Sequence, residues 1–490
     1  MAPLGAHPGI FEINTWVWLD DLSAKLGRTV TLATVPDAEW DKIAAICIDA
    51  VWLMGVWERS PAGTKVAQLD EPLLHYGRAN FPDFTLGDIV GSPYCVRRYV
   101  PDERIGGLAG LAAAREQLRA RGIALILDYV PNHVALDHRW VTERPGYLIQ
   151  GSQADLEDFP GQFVRAGPGI VALGRDPYFP PWRDVLQLNG FHPGVRDAAI
   201  ATLSAIGERC DGVRCDMAML LINNVFSQTW GERAGPAPEV EYWSYVIPAV
   251  KRKYPGMTFI AEVYWGLEWA LLQQGFDYCY DKALYDRLIE GDPELVRAHL
   301  RADYSYQRQL VRFIENHDEP RASAVLSPGA LRAAAVTIST LPGAALYHHG
   351  QLEGRRLQTP VAIGRRPPEP EDPALQEFYG RLVKAGRTMR RGQWRLCEVS
   401  GWPDNDSFRS IVAWCWQADE RLRVIVVNLA PTPSQGSVQL PADALPADAL
   451  TLTDLLSGAV FDRQRRDLLE HGFHVELAGY GFHVLSSREP

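Results

Sequence analysis

The sequence predicts an α/β protein: a (β/α)8 TIM barrel with a subdomain inserted after strand 3 and a C-terminal antiparallel β-sandwich. Up to about residue 390, short apolar runs rich in β-branched and aromatic residues alternate with helix-like segments, as in a parallel sheet flanked by helices. After that point, short alternating runs are broken by Pro, Asn and Gly, which indicates antiparallel strands. Eight strand–helix units are the number that closes a barrel.

Eight apolar runs are the candidate barrel strands. They cover residues 11–19, 49–57, 124–130, 212–218, 258–265, 276–281, 311–318 and 344–350. Residues 107–122 illustrate the helices between them, with strong helix formers, late arginines and a terminal glycine.

The spacing of these strands also predicts the domain organisation. The gap between the third and fourth strands is long and rich in Pro, Gly, Asp and aromatic residues, which is typical of a loop-rich insertion over the barrel mouth. We therefore expect the barrel in residues 1–132 and 188–390, the inserted subdomain in 133–187 and the sandwich in 391–490.

Composition excludes several classes of partner. The formal charge of −11, without a long basic run, disfavours binding to nucleic acid and to anionic membranes. No apolar stretch approaches the roughly 18 residues of a membrane span, and MAPLGAHPGIFEIN lacks the features of a secretory leader, so we expect a cytoplasmic protein. The seven scattered cysteines lack CxxC spacing and are expected to be buried free thiols. The sequence carries no signal for the oligomeric state.

Charged residues stand at the ends of four of the apolar strands. In a barrel the carboxyl ends of the strands build the active site. One such residue could be an ion pair that caps a strand, but four strands that converge on one rim predict a catalytic centre. The residues are Asp128 and His133 on the third strand, Arg214 and Asp216 on the fourth, Glu262 on the fifth, and His317 and Asp318 on the seventh.

Two of these carboxylates have different surroundings. Arg214 and Asp216 are two residues apart, so on an extended strand they share a face, and the guanidinium should keep Asp216 ionised as a nucleophile. Glu262 lies on an apolar strand beside Tyr264 and Trp265, which favours a raised pKa and proton donation. This pairing is what retaining glycoside hydrolysis through a covalent glycosyl-enzyme intermediate requires.

Four ordered blocks resemble the alpha-amylase family of glycoside hydrolases. They are DYVPNH (128–133), GVRCDMA (212–218), FIAEVYW (259–265) and FIENHD (313–318). Weaker matches at 92–99, 184–196 and 476–485 extend the resemblance over most of the chain.

The resemblance implies a role for each matched residue. Asp216 matches the nucleophile, Glu262 the general acid/base, and Asp318 the third carboxylate, which binds sugar hydroxyls and stabilises the transition state. Tyr94 matches the aromatic residue that lies under the same sugar ring, and Asp128 matches an acid that orients the arginine. Three further residues match positions that contact this ring or hold the nucleophile: His133, Arg214 and His317.

Two tryptophans are candidates to line the cleft, because flat aromatic faces cover the apolar faces of pyranoses. Trp265 follows the Glu262 block, and Trp57 stands at the mouth end of the second strand.

The chain also departs from the family pattern. Met219 and Leu220 occupy positions at which many members carry a lysine and a histidine that reach leaving-side sugars. Asn132 matches a calcium ligand of some members, but it offers one oxygen where calcium takes six to eight, so calcium is unsupported and the chemistry needs no cofactor. The acids of the insertion (155, 157 and 158) are either further ligands or a solvated face.

The sequence therefore leaves three functions open. The first is a retaining glycoside hydrolase that cleaves α-glucosidic bonds in maltooligosaccharides or related α-glucans. The second is a transglycosylase, a glucanotransferase or glucosyltransferase, in which Met219, Leu220 and a lidded, apolar acceptor side exclude water from the same intermediate. The third is an inactive relative that serves as a binding module, which the retention of all three carboxylates and Arg214 disfavours.

Overall fold

The computed structural model describes residues 4–418 and 421–487. Within these residues, eight parallel strands form a closed barrel in which each strand pairs with the barrel strands next to it in the chain, and the first pairs with the eighth. The barrel strands are Gly9–Asn14, Ala50–Met54, Ala124–Tyr129, Gly212–Cys215, Thr258–Ala261, Tyr278–Tyr280, Leu310–Arg312 and Ala344–His348. The predicted (β/α)8 barrel is confirmed.

Several barrel strands end earlier than the sequence predicts. The first ends at Asn14, whose side chain accepts a hydrogen bond from the Val17 amide and caps the following helix, so the predicted strand 11–19 is wrong beyond residue 14. The fourth, fifth and seventh strands end before the charged residues Asp216, Glu262 and Asp318, which therefore lie in the loops at the barrel mouth.

Helices surround the barrel and join its strands. The α-helices of the described residues are Thr15–Leu26, Asp37–Ala45, Pro61–Ala67, Glu71–Asn80, Gly107–Ala120, Trp140–Glu143, Gln153–Asp158, Pro193–Gly207, Asn223–Trp230, Tyr242–Lys253, Glu268–Gln273, Lys282–Glu290, Pro293–Leu300, Tyr304–Gln307, Ala322–Val325, Pro328–Thr340, Pro373–Met389 and Arg465–His471. A short antiparallel pair, Trp57–Arg59 with Val96–Pro101, follows the second barrel strand.

An antiparallel sheet lies between the third and fourth barrel strands. Its strands are His133–Ala135, Gln150–Gly151, Phe163–Ala166, Gly169–Gly174 and Trp182–Gln187. It has a hydrophobic core of its own, to which Val134, Leu173 and Leu186 contribute.

Two antiparallel sheets form the C-terminal part of the chain. One contains Gln393–Cys397, Ile411–Ala418, Arg421–Asn428, Ala449–Asp454, Val460–Gln464 and Phe482–Ser487, and the other contains Val399–Ser400, Ser434–Val438 and Phe473–Leu477. Side chains alternate along the strand Ile411–Ala418: Trp414 and Trp416 pack with the barrel core, and Ala413 and Cys415 belong to the core of the sandwich itself. The predicted C-terminal sandwich is confirmed.

Within the described residues, no helix combines the length and the apolar character needed to cross a membrane. All seven cysteines are free thiols; six are buried and Cys47 is half-buried.

Candidate active site

A cavity of about 780 Å³ lies at the mouth of the barrel. Asp216, Glu262 and Asp318 all line it, and Asp176 and Trp182 contribute from the inserted segment. The structure thus brings together the three carboxylates that the sequence singled out.

Arg214 is the buried centre of this group. Its Nη1 lies 2.8 Å from Asp216 Oδ1, and its Nη2 lies 2.8 Å from Glu262 Oε2. Asp128 Oδ1 is 3.7 Å from Nη1, and both side chains are buried. The ring of Tyr94 lies 5.0 Å from the guanidinium carbon, within the range of a cation–π contact. One cation therefore compensates three acids.

The electrostatics of Asp216 differ from the expectation. Burial raises the pKa of this carboxyl above its ordinary value, and Arg214 opposes the rise without reversing it. The spacing of Arg214 and Asp216 predicts that the arginine dominates, but full burial penalises the charged form of Asp216 more strongly than the arginine favours it.

Glu262 is shifted in the direction that its apolar surroundings predict. Burial, together with the charges of Asp216 and Asp318 and against the effect of Arg214, raises the pKa of Glu262 to about 7. The Met217 amide donates to its Oε2 at 2.6 Å, and the Tyr264 hydroxyl donates to its Oε1 at 2.9 Å. Glu262 is therefore held in position and is partly protonated at neutral pH.

His317 carries a positive charge next to the third carboxylate. Its Nδ1 lies 2.5 Å from Glu12 Oε1 and its Nε2 lies 2.9 Å from Asp318 Oδ2. Burial lowers the pKa of His317, but Asp318 and Glu12 outweigh it and raise that pKa well above its usual range. Burial in turn raises the pKa of Asp318, but His317 lowers it below its ordinary value, so Asp318 is ionised.

The remaining predicted residues surround this centre. The Tyr94 hydroxyl is 2.7 Å from His317 Nε2, and its carbonyl oxygen is 3.2 Å from His133 Nε2. Burial lowers the pKa of His133 to about 4, so this imidazole is neutral. Burial raises the pKa of Asp128 to about 6, against the effect of Arg214, and Trp52 Nε1 donates to its carboxylate at 3.2 Å.

The calcium candidate does not fit the donors around it. Asn132 Oδ1 accepts a hydrogen bond from Gln187 Nε2 at 2.9 Å, so its oxygen already has a partner. Asp155 accepts a hydrogen bond from the Ser152 amide in the capping box of the helix Gln153–Asp158 and pairs with Arg233. In residues 4–418 and 421–487 no group of three or more His, Cys, Asp or Glu side chains could hold a metal ion.

Of the two tryptophans predicted to line the cleft, only one does so, and Met219 and Leu220 lie outside the cavity. Trp265 lines the cavity with 39% of its surface exposed. Trp57 is buried and its indole donates to the Asp128 carbonyl at 2.8 Å, so the prediction that it lines the cleft is wrong. Met219 and Leu220 are buried in the hydrophobic core, which contradicts a role for them in an acceptor site.

Several site residues escape sequence reasoning. Glu12 could have been found, because it is the charged residue in the otherwise apolar strand GIFEIN. Asp176, Phe179, Lys282 and Glu319 also line the cavity. All four lie outside the matched blocks, Glu319 directly after the last block, so no sequence pattern distinguished them.

Comparison with known proteins finds a curated protein of similar sequence. The chain is 25% identical over 439 residues to "Alpha-amylase MalA" of Haloarcula japonica, a match that covers 85% of this chain and 54% of that protein. The resemblance to the alpha-amylase family is thereby confirmed. The chain spans about half the length of this curated relative. No protein-family model matches the chain.

Solved structures share the whole fold of this alpha-amylase-like chain. The maltogenic alpha-amylase AmyB of Thermotoga neapolitana superposes with a TM-score of 0.67 at 18% identity, covering 99% of both chains. An alpha-amylase from Lactobacillus plantarum gives a TM-score of 0.69 at 18% identity, covering 98% of this chain and 99% of the other.

Proposed function

We propose that this protein is a retaining glycoside hydrolase that cleaves α-glucosidic bonds in maltooligosaccharides or related α-glucans through a covalent glycosyl-enzyme intermediate. The observation that carries the proposal is the contact of Arg214 with both Asp216 and Glu262 in one cavity. The similar protein of Haloarcula japonica is named an alpha-amylase, and the AmyB structure is described as a maltogenic alpha-amylase, which supports an α-glucan as substrate.

Asp216 and Glu262 have different tasks in this reaction. An Asp216 oxygen attacks the anomeric carbon while Glu262 gives its proton to the departing glycosidic oxygen, so that an ester to Asp216 forms and the C–O bond breaks. Glu262, now ionised, takes a proton from a water molecule, and the water oxygen displaces Asp216 from the anomeric carbon. Two inversions return the original α-configuration.

The neighbouring residues stabilise the charge that develops on the sugar ring. Asp318 is held anionic by His317 and faces the cavity, where an oxocarbenium-like transition state attracts negative charge. Tyr94 and His133 line the same cavity and can contact the ring. Asp128 does not line the cavity and orients Arg214 through their contact at 3.7 Å.

The stereochemical outcome tests this proposal directly. Proton NMR of maltotetraose hydrolysis should show the α-anomer first, followed by mutarotation. Initial release of the β-anomer would contradict a double displacement through Asp216.

Substitution of the acid gives a second test. Glu262→Gln should lower kcat/KM on maltotetraose by about 10³-fold or more, and should spare the first step with α-glucosyl fluoride, whose leaving group needs no proton. Asp216→Asn should lose both substrates, and equal loss by the two variants would refute the division of roles.

Transglycosylation remains the alternative for the second step. Met219 and Leu220 give it no support, because both are buried, but the aromatic residues Trp265 and Phe179, 39% and 67% exposed, line the cavity. Such faces can hold a sugar acceptor against the intermediate. Chromatography of maltotriose digests distinguishes the reactions: products longer than maltotriose indicate transfer, and only shorter products indicate hydrolysis.

We also propose a cytoplasmic location, supported by the seven free thiols, since reduced cysteines are typical of the cytosol. Cell fractionation followed by immunoblotting would test it, and recovery of the protein outside the cytosolic fraction would refute it.

A further inference from the structure

One wall of the active-site cavity carries a lysine that none of the steps above uses. Lys282 lines the cavity beside Glu319, and its Nζ lies 3.3 Å from Glu319 Oε1. It also pairs with Asp286 on the next turn of its helix and lies 4.5 Å from the centre of the Tyr285 ring. Its side chain is held by these partners, lines the cavity and keeps 26% of its surface exposed.

The position of Lys282 is unfavourable for its own helix. It is the first residue of the helix Lys282–Glu290, directly after the capping residue Asp281. A cation at a helix N-terminus opposes the helix dipole, so the dipole does not explain a lysine here. The i,i+4 partner Asp286 and the neighbour Glu319 compensate this charge.

The order of the loops around the rim indicates which part of a substrate Lys282 meets. Glu262, which protonates the leaving oxygen in the proposed reaction, follows the fifth strand, and Lys282 follows the sixth. Glu319 follows the seventh strand, directly after Asp318. Tyr94 and His133, which also line the cavity, come from the loops after the second and third strands. The loop with Lys282 is therefore the neighbour of the loop that carries the acid, and the leaving sugar stands next to the acid in the proposed reaction.

The chemistry of this wall suits a neutral sugar. An ammonium group donates hydrogen bonds and a carboxylate accepts them, which together match a pair of hydroxyls, and the half-exposed Trp265 adds an aromatic face. Lys282 is charge-compensated, so it offers donors without attracting free anions.

We propose that Lys282 and Glu319 form the leaving-sugar subsite of this enzyme, with Lys282 as its specificity-determining residue. This inference rests on the proposed glycosidase function and adds the group that recognises the glucosyl unit beyond the scissile bond. In this chain, the cation that reaches the leaving sugar comes from the loop after the sixth strand, since Met219 and Leu220 are buried in the core.

Kinetics with two substrates test the subsite. Lys282→Met should lower kcat/KM on maltotetraose by about ten- to one hundredfold, the usual worth of a hydrogen bond from a charged group. It should change kcat/KM on 4-nitrophenyl α-glucoside, which has no leaving sugar, by less than about threefold. Glu319→Gln should show the same selectivity in weaker form. Equal losses on both substrates, or no loss on either, would overturn the inference.

Lys251 provides a matched control. It lies on the helix Tyr242–Lys253, pairs with Asp277 at 2.7 Å and has 27% of its side chain exposed, but it does not line the cavity. Lys251→Met should leave the ratio of the two kcat/KM values unchanged. A change as large as that of Lys282→Met would mean that the loss of any partly exposed lysine has this effect.

A binding measurement separates the inference from the proposed function. In a Glu262→Gln background, isothermal titration with maltotetraose should show that Lys282→Met weakens binding about ten- to one hundredfold. If the wild-type protein fails to hydrolyse maltotetraose but this loss is observed, the hydrolase proposal fails and the sugar subsite stands. If affinity is unchanged, the subsite is refuted whatever the wild-type activity.

Discussion

At the scale of single residues, the site depends on how burial and charge divide the protons between Asp216 and Glu262. Burial raises the pKa of both carboxyls, for Glu262 to about 7, yet the proposed reaction needs Asp216 ionised and Glu262 protonated. The active form therefore exists between the pKa of Asp216 and that of Glu262.

This division predicts a bell-shaped pH profile. Because Glu262 must hold its proton, kcat/KM should fall about tenfold per pH unit above about pH 7. Because Asp216 must be ionised, the acidic limb should lie above the ordinary aspartate value of 3.8. Initial rates between pH 4 and 9 give the profile, and a plateau extending to pH 9 would contradict the acid role of Glu262.

Glu12 should act on catalysis through His317. Glu12→Gln removes the anion beside Nδ1, so the pKa of His317 should fall and that of Asp318 should rise. We expect kcat/KM at neutral pH to fall about ten- to one hundredfold, and the acidic limb, which requires Asp318 as well as Asp216 to be ionised, to move to higher pH.

A buried acid on the same loop as His317 gives the control for this change. Glu315→Gln also removes a buried carboxylate, but Glu315 pairs with Arg321 at 2.7 Å rather than with His317. The acidic limb of the pH profile of Glu315→Gln should therefore stay where it is in the wild type. Equal shifts of the acidic limb in both variants would assign the effect of Glu12→Gln to the general loss of a buried charge.

Residues within the strand-end blocks were predictable, and residues that act across the fold were not. Asp216, Glu262 and Asp318 follow apolar runs, so their position at the mouth follows from the barrel itself. The direction of the pKa shift at Asp216 depends on complete burial, which spacing from Arg214 does not encode. Lys282 and Glu319 meet only because the sixth and seventh strands are neighbours.

At the scale of elements, the loop between the strands Gly169–Gly174 and Trp182–Gln187 shapes the cavity mouth. Asp176 is 4% exposed, and its Oδ1 accepts hydrogen bonds from the amides of Tyr178 and Phe179 at 2.7 and 2.9 Å. The ring centre of Tyr178 lies 4.8 Å from that of Trp265, so this turn joins the inserted segment to the fifth-strand loop.

Loosening this turn should weaken substrate binding more than chemistry. Asp176→Ala removes the acceptor of two amides, and we expect KM for maltotetraose to rise about three- to tenfold with kcat within about twofold. Asp176→Asn keeps an oxygen acceptor and should stay near wild type. A loss confined to kcat in the alanine variant would contradict a role in shaping the mouth.

Two predicted strand ends are wrong because an apolar run continues past the residue at which the strand ends. Residues 11–19 read as one apolar run, but Asn14 accepts from the Val17 amide and starts a helix at Thr15. The run 49–57 likewise divides, because Trp57 pairs with the strand Val96–Pro101 and leaves the barrel.

At the scale of the whole molecule, the C-terminal sandwich and the barrel share a hydrophobic core. Trp416 is fully buried, and its indole donates to the Thr340 carbonyl at 2.8 Å, on the helix that precedes the eighth barrel strand. The two parts should therefore unfold together.

Trp416→Ala should lower the free energy of unfolding by about 3–5 kcal/mol, as large-to-small changes at buried aromatics do. Urea unfolding followed by circular dichroism measures the change. Trp402, on the sandwich with 43% exposure, is the control, and Trp402→Ala should stay within about 0.5 kcal/mol. Equal midpoints for the two variants would show that the shared core contributes little.

The pairing of the first barrel strand with the eighth also sets the order of events during synthesis on the ribosome. Gly9 pairs with Ala345, so one edge of the apolar strand Gly9–Asn14 waits without its partner until residue 348 has emerged. Glu12 reaches His317 only when that seam closes. A nascent chain released before this point would have an open sheet edge prone to aggregation and an unfinished catalytic centre, so the N-terminal strand is exposed to misassembly throughout synthesis.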